Sequence, residues 1–207
     1  SAGMRPASDY ADVKENARRR VYLKEVTALL VADLAFLVES WKPNADNYAK
    51  SFIAADSNAS LTKILTALAT LSGFELASER IATALDSGDQ EDEHSCFSDN
   101  THNDFIMNAK AIENVFFGRY GALKGDSVYA LVAEKDAALA DKIKHEIAKT
   151  AELLGKVPHP IDREVLATAK DSKARATMEN VVTSLQTQAE LFKQAGKILG
   201  LDVQIAE

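Results

Sequence analysis

The densest group of residues that could bind a ligand or a metal lies in residues 90–104, with the sequence QEDEHSCFSDNTHND. His94 and His102 stand eight positions apart among carboxylates. Asp99 precedes His102 by three positions, the spacing that places two side chains on one helix face. Oxygen and imidazole ligands together suit iron, zinc, manganese or calcium. The segment therefore predicts a site for a divalent or trivalent metal ion, with iron and zinc as the main candidates.

The net charge of the chain is concentrated around this segment. Of 31 acidic residues, seven lie between Arg80 and Lys110, where there is no lysine or arginine. The other 24 acids equal the 24 bases, so the whole net charge of −7 comes from one stretch. An acidic chain lacks the basic face that phosphate contacts need, which argues against a nucleic-acid partner. The seven acids are Asp86, Asp89, Glu91, Asp92, Glu93, Asp99 and Asp104.

The same segment has an ordinary structural interpretation. Ser98, Asp99, Asn100 and Thr101 are residue types that satisfy free N–H groups at a helix N-terminus. The run can therefore be a solvated acidic loop ahead of a helix that Ser98 or Asp99 caps. It contains no H-x-x-E, no H-E-x-x-H and no EF-hand loop. Both interpretations stay open on the residues alone.

The remaining reactive residue types are isolated in the sequence. Cys96 is the one cysteine, which excludes an internal disulfide, and it is interpreted as a small packing residue. His145 and His159 stand alone and are interpreted as ordinary surface or core histidines. The arginines at positions 18–20 are interpreted as a solvated or ion-paired helix face.

A second candidate lies in the helix pattern that precedes the acidic run. On a helical wheel at 100° per residue, Glu75 and Glu79 fall on the arc that Leu61 and Leu68 define as apolar. A buried carboxylate costs several kcal/mol unless a cation, a metal or hydrogen-bond donors meet it. Alternatively, this arc reaches the end of the bundle and both groups are solvated, or a base such as Arg119 pairs with them.

The elements that must position these residues are helices. Apolar residues recur at three- and four-residue steps, and no alternating strand pattern extends beyond a few residues. The longest uncharged runs are far shorter than the roughly 20 apolar residues of a membrane span, so no transmembrane segment is expected. We predict one all-α domain over residues 1–207, an up-and-down bundle of about four long helices plus short ones. The predicted helices are 9–41 with one buried face, 48–55, 57–85, a helix from 98 or 99 to about 117, 127–135, 138–154 and 171–199.

Taken as a series of short motifs along the chain, the sequence resembles the imelysin family. The resemblance covers nearly the whole chain, more weakly towards its end, and is most specific around residues 97–101. Residues 89–102 are very similar to the iron-regulated protein A branch of that family. The motifs that carry it are RP at 5–6, DY at 9–10, ARR at 17–19, YL at 22–23, LSGFE at 71–75, ER at 79–80, DQEDEHSCFSDNTH at 89–102, NV at 114–115 and GRYG at 118–121.

The resemblance implies an all-helical protein of the bacterial periplasm or cell envelope, often under iron control, with a polar site between two helical-bundle halves. The family is named for a reported metallopeptidase, and its Gly-x-His-x-x-Glu motif in the N-terminal half is taken as the metal site. This chain contains no such motif. It is therefore expected to be the C-terminal half, possessing no catalytic residues that can be assigned and depending on an N-terminal half as partner. That half would be on the same polypeptide or on a cleaved chain, and could carry a lipid anchor.

Three functions follow from these expectations. The first is a metal- or ligand-binding envelope component linked to iron uptake and to other iron-uptake components. The second is an imelysin-type metallopeptidase whose motif lies in the missing half. The third is a non-catalytic interaction module. The expected metal ligands are His94 and His102, and the expected ligand-binding residues are Glu75, Arg80, Ser98, Asp99 and Asn100.

Overall fold

The chain folds almost entirely into helices, as predicted. The structure, a computed structural model, describes residues 6–205, so Arg5 and the two ends of the predicted 1–207 domain lie outside the described residues. Within residues 6–205 there are two strands of two residues each, which pair antiparallel as a small hairpin. The elements are 3₁₀-helices Ala7–Tyr10, Lys14–Asn16 and Gln90–Asp92; α1 (Ala17–Trp41), α2 (Tyr48–Ala54), α3 (Ser57–Thr70); a π-helix Leu71–Ala82; α4 (Thr83–Ser87), α5 (Thr101–Phe116), β1 (Arg119–Tyr120), β2 (Leu123–Lys124), α6 (Val128–Lys135), α7 (Ala137–Leu154); a second π-helix Asp162–Leu166; and α8 (Lys173–Ile198).

The contacts divide the chain into two compact units, Ser1–Ser60 and Leu61–Glu207. The single domain over residues 1–207 stays a prediction. No helix within residues 6–205 is long and apolar enough to cross a membrane.

The first unit is built around α1, which differs from the prediction in two respects. The helix begins at Ala17 and not near residue 9. The periodicity predicts one buried face on this helix, but none of its residues is buried. The contacts that the helix makes inside its unit lie near its ends. At the C-terminal end, the ring of Trp41 lies 5.2 Å from that of Tyr48 and 5.5 Å from that of Phe52. Arg20 pairs with Asp12 at 2.7 Å near the other end, so the predicted ion-paired interpretation of this arginine is confirmed.

The second unit contains two apolar core clusters that meet along α7 and α8. One cluster includes Ile143 of α7 and Phe192 of α8, and the other includes Leu154 of α7 and Leu185 of α8. The order of the clusters is opposite on the two helices, because the helices run antiparallel. The first π-helix packs against α8 so closely that a Cβ on Gly73 would lie 2.7 Å from the Cβ of Ala189.

A buried polar layer separates the two clusters. The Ser184 hydroxyl donates to Glu146 Oε1 at 2.6 Å and lies 2.7 Å from the Thr150 hydroxyl. Gln188 donates to Thr150, and Lys149 pairs with Glu146 at 2.9 Å. Since each buried polar group has a partner, the layer is satisfied and fixes which turn of α7 faces which turn of α8.

Arg175 joins three elements at the start of α8. Its side chain is buried, and it donates to the carbonyl of Leu166 at 3.1 Å and to the carbonyl of Leu85. Leu166 is the last residue of the second π-helix, and Leu85 lies in the last turn before Gly88 ends α4. A cation on free carbonyls at a helix C-terminus stabilises that end, so Arg175 acts as a shared helix cap.

The close approach at Gly73 generates a stability prediction. Gly73→Ala is expected to lower the free energy of unfolding by about 1–3 kcal/mol, because the added methyl group overlaps Ala189. Alanine is the better helix former by about 1 kcal/mol, and that gain is not enough to offset the overlap. Urea unfolding followed by circular dichroism measures the change.

The matched control is Gly155→Ala. Gly155 has right-handed backbone angles, and a Cβ there would meet nothing nearer than 3.6 Å. This variant is expected to keep its stability or to gain up to about 1 kcal/mol. If both variants lost the same free energy of unfolding, the close packing of the π-helix on α8 would not be the cause of the loss in Gly73→Ala.

Candidate functional site

The acidic segment and a distant proline-rich turn come together beside the second core cluster. The segment supplies Glu93 and His94 from the loop after Gln90–Asp92, and His102 from the first turn of α5. His159 and Asp162 come from the turn before and the start of the second π-helix. We call these five residues the histidine–carboxylate cluster.

The cluster contains the unsatisfied polar groups of the molecule. Within residues 6–205, every buried side-chain nitrogen or oxygen without a hydrogen-bond partner belongs to four of its members. Such atoms are rare in folded proteins, and each one calls for a ligand, an ion or water. The atoms are both carboxylate oxygens of Glu93, Nδ1 of His94, Nδ1 of His102 and Oδ1 of Asp162.

The imidazole rings of His102 and His159 stack on each other. Their centroids are 4.3 Å apart and their planes differ by 9°. The sequence interpretation of His159 as a solitary histidine is therefore wrong, because its partner lies 57 positions away in the chain. The second predicted metal ligand, His94, has its ring 6.2 Å from that of Phe105.

Glu93 is the one acid of the run that is buried, with 5% of its surface exposed. Burial raises the pKa of its carboxyl above the ordinary value of 4.5. The Thr101 hydroxyl opposes this rise, and the negative charges of Asp162 and Asp99 add to it. Glu93 and Thr101 also line a small cavity of about 10 Å³. That volume accommodates about one water molecule or a small ion.

The other acids of the run do not gather around the cluster. Asp86, Asp89, Glu91 and Asp92 are exposed, and Asp86 lines a separate cavity of about 320 Å³ beside Arg175. The seven acids between Asp86 and Asp104 are therefore divided between solvent and the cluster. Four of the acids are solvated, as the alternative interpretation predicted. The candidate site contains Glu93, with the negative charges of Asp99 and Asp162 near it.

The predicted polar wall at residues 98–100 makes mostly local contacts. Ser98 donates to the carbonyl of Ser95 at 3.3 Å, and Asn103 donates to the side-chain oxygen of Asn100 at 2.8 Å. Asp99 has a φ of 53°, a left-handed conformation that aspartate tolerates better than most residues. The residue that caps α5 is Asn100, without a side-chain hydrogen bond, so the prediction of a Ser98 or Asp99 cap is wrong.

Glu75 and Arg80 form an ion pair at 3.7 Å, with both side chains nearly half exposed. The pair is five positions apart, the spacing of neighbours on a π-helix with its i→i+5 hydrogen bonds. The α-helical wheel that grouped Glu75 with Glu79 does not apply there, and Glu79 is exposed. Arg119, the base considered as a partner, pairs instead with Glu113. Arg80 also lines the small cavity next to Glu93.

Sequence reasoning missed His159 and Asp162 as members of the cluster. They follow Pro158 and flank Pro160, and they are three positions apart. A histidine and an aspartate at that spacing on a proline-stiffened turn is the local signal that could have drawn attention to them. What the sequence cannot show is that this turn lies against the start of α5.

The cluster does not amount to a complete metal site. Among the residues that the structure describes, no three histidine, cysteine, aspartate or glutamate side chains are arranged to hold a metal ion. The orphaned oxygens and nitrogens are donors of the right chemical type for a cation. The residues present therefore fit part of a ligand set.

Comparisons with known proteins point in one direction. The sequence profile of the peptidase M75 family, described as imelysin, matches residues 1–192. A crystal structure of an imelysin peptidase from Bacteroides ovatus is similar, with a TM-score of 0.69 and 18% sequence identity. The match covers 96% of this chain and 60% of that protein. No curated protein sequence matches.

The burial of Glu93 generates a pH-dependent prediction. Because the folded state raises this pKa, the carboxyl is protonated in both states at low pH and costs nothing there. As the pH rises above the unfolded pKa, the unfolded chain loses this proton first, so stability falls until the folded carboxyl ionises as well. Glu93→Gln removes that loss, so the variant is expected to gain about 1–3 kcal/mol over the natural chain at neutral pH.

The measurement is urea unfolding of both proteins between pH 4 and pH 7.5, with a chelator present to remove adventitious ions. The gain is expected to shrink towards pH 4. Glu91→Gln, at an exposed neighbouring acid, is the control and is expected to change stability by less than about 0.5 kcal/mol at every pH. A gain that does not depend on pH would refute this account of Glu93.

Proposed function

This chain belongs to the imelysin family, and from that premise we propose that it forms one wall of a cation-binding site. The single observation that carries the proposal is the concentration of partnerless buried polar atoms in Glu93, His94, His102 and Asp162. The biological setting we propose is a component of the bacterial cell envelope that is connected with iron. That setting rests on the similarity of residues 89–102 to the iron-regulated branch of the family.

The chemistry of the donor atoms supports a cation rather than an anion or an apolar ligand. A buried carboxylate with neither oxygen hydrogen-bonded is costly unless a positive charge meets it. An unprotonated imidazole nitrogen that makes no hydrogen bond has a free lone pair, which can bind a metal ion. Mixed imidazole and carboxylate sets suit ferrous iron and zinc. We place Glu93 and His102 closest to the ion, with Asp162 and His94 as further candidates.

The remaining ligands come from outside the residues described here. The cluster has no three-residue ligand set of its own, and the chain lacks the Gly-x-His-x-x-Glu motif. The chain also spans only 60% of the similar crystal structure. A second wall supplied by the rest of the fold would complete the coordination, and Ser98, Asp99 and Asn100 would line its edge.

A peptidase is the second candidate, favoured by the name of the structural neighbour. A bound metal would activate a water molecule for attack on a peptide carbonyl. In that case Glu93 is suited to hold a proton, because its raised pKa lies closer to neutrality than that of an ordinary glutamate. Glu75 and Arg80 would then contact the peptide chain as an exposed ion pair.

Cation binding is tested on the longest natural polypeptide that contains this chain. Titration calorimetry with zinc and, without oxygen, with ferrous iron is expected to show binding. His102→Ala and Glu93→Gln are each expected to weaken it at least about 10-fold, because each removes a donor atom. His145→Ala is the control, since His145 is exposed on α7 and is not a member of the histidine–carboxylate cluster. Absence of binding, or binding that both variants leave unchanged, would refute the proposal.

The two candidate functions are separated by turnover. The same metal-loaded polypeptide is incubated with an unfolded protein substrate, with and without a chelator. Cation binding without cleavage is the expected result and supports the binding function. Cleavage that the chelator abolishes, and that Glu93→Gln slows, would replace it with the peptidase.

A further inference from the structure

A cavity of about 320 Å³ lies in the second unit between α4 and the first half of α8. We call it the α8 cavity. Small-molecule sites begin at about this size, roughly 300 Å³, whereas the cavity beside Glu93 has a volume of about 10 Å³. The α8 wall is formed at positions 175, 179, 182 and 183, which share one face of the helix. The α8 cavity is therefore large enough for a small organic molecule.

Four of the eight residues that line the α8 cavity are charged, and the two signs are balanced. Asp86 and Glu179 are acidic, and Lys170 and Arg175 are basic. Within residues 6–205, ion pairs between acids and bases occur along most of the helices, yet none of them includes any of these four side chains. Charges of both signs thus line one cavity without pairing with each other.

Arg175 is the buried member of the four, with 7% of its surface exposed. Its hydrogen bonds to the carbonyls of Leu166 and Leu85 fix the side chain in place. Carbonyl groups carry only partial charge, so they do not neutralise the guanidinium as a carboxylate would. Nε of Arg175 makes no hydrogen bond within residues 6–205, and it is not among the fully buried atoms without a partner. The guanidinium therefore keeps a donor for a ligand in the cavity.

Thr183 adds an acceptor beside one of the acids. Its hydroxyl donates to the backbone carbonyl of Glu179 at 3.0 Å, one turn earlier on α8. A hydroxyl has one hydrogen and two lone pairs, so towards the cavity this group can only accept. Thr183 and the Glu179 carboxylate are therefore suited to a ligand group that donates hydrogen bonds and is positively charged.

The uncharged part of the cavity wall is apolar. It consists of Leu85, which is buried, and of Ala82 and Val182, which are partly buried. We call these three residues the apolar floor. A hydrocarbon group placed against them would leave water, which favours binding by about 25 cal/mol for each Å² of apolar surface removed.

The balance of charge selects the class of ligand. An anion without a positive group would bind near Arg175 and Lys170 but would meet the two acids as well. A cation without a negative group would meet the two bases. A zwitterion has one group for each pair of charges, and an amino acid with an apolar side chain would also contact the apolar floor.

We propose that the α8 cavity binds a small zwitterion, an α-amino acid or dipeptide with an apolar side chain. Arg175 and Lys170 bind its carboxylate. Glu179 and Asp86 bind its ammonium group, with the Thr183 hydroxyl as a further acceptor. The proposal does not depend on the cation proposed above, because no residue of the histidine–carboxylate cluster lines the α8 cavity.

Titration calorimetry on the natural polypeptide that contains this chain tests the proposal. A chelator is present, so that a metal ion in the histidine–carboxylate cluster cannot contribute. L-leucine and L-leucyl-L-leucine are titrated in parallel, and binding of at least one is expected at up to millimolar concentration. Binding of neither would overturn the proposal.

Analogues of leucine test whether both charges are needed. Leucinamide lacks the carboxylate and N-acetylleucine lacks the ammonium group, so each is expected to bind at least about 10-fold more weakly than leucine. Leucinamide binding as tightly as leucine would indicate a cation site, and N-acetylleucine doing so would indicate an anion site. Either result would overturn the proposal. Glycine is expected to bind at least about 5-fold more weakly than leucine, and equal binding would overturn the role of the apolar floor.

Variants locate the binding site. Glu179→Gln and Lys170→Gln each remove one charge from an exposed side chain, so the fold is expected to persist, which circular dichroism checks. Each variant is expected to weaken binding at least about 5-fold. The matched controls are Glu190→Gln and Lys197→Gln, at exposed positions of α8 outside the α8 cavity, and they are expected to leave binding unchanged. Binding that neither Glu179→Gln nor Lys170→Gln weakens would place the ligand elsewhere and overturn the proposal.

Discussion

A buried carboxylate with only the Thr101 hydroxyl to oppose the rise of its pKa is the constraint from which the candidate site in the second unit follows. Glu93 reaches this position because α5 begins at Thr101 and brings the loop before it down onto Phe105 and Ile161 of the second core cluster. Those two residues line the same small cavity as Glu93, and Asp162 and Asp99 place negative charge near its carboxylate. Burial beside the apolar core destabilises the ionised form of the carboxylate, and a bound cation would offset that free-energy cost.

The site keeps its geometry because the elements around it are tied to α8. Arg175 joins the end of α4 to the end of the second π-helix, which are the elements on either side of the cluster. The polar layer at Glu146, Thr150 and Ser184 sets the register of α7 against α8. A slip of one turn would leave those buried groups unpaired, so the layer favours a single arrangement. Two members of the cluster, His102 and Asp162, therefore lie on packed helices, and the other three come from loops next to helices.

The sequence predicts the helices well and the site only in part, for physical reasons. Apolar periodicity locates α7 and α8 to within two residues, because both bury one face in the same unit. Periodicity cannot distinguish the π-helix from an α-helix, since one apolar face accommodates either hydrogen-bond pattern. The π-helix changes the directions in which Glu75 and Glu79 project from the helix axis. Charge and residue type predict the segment that contains Glu93. They do not predict which of its acids is buried, because that depends on how the segment packs on the core. His159 escapes notice because its partner is brought to it by tertiary structure.

Each unit of the chain contains one feature that the chain itself does not complete, and the two features are chemically different. In the second unit, polar atoms are buried without partners, which a cation or polar donors would relieve. In the first unit, apolar side chains are exposed without cover, which packing against other helices would relieve. A cation cannot satisfy α1, and an apolar helix cannot satisfy Glu93.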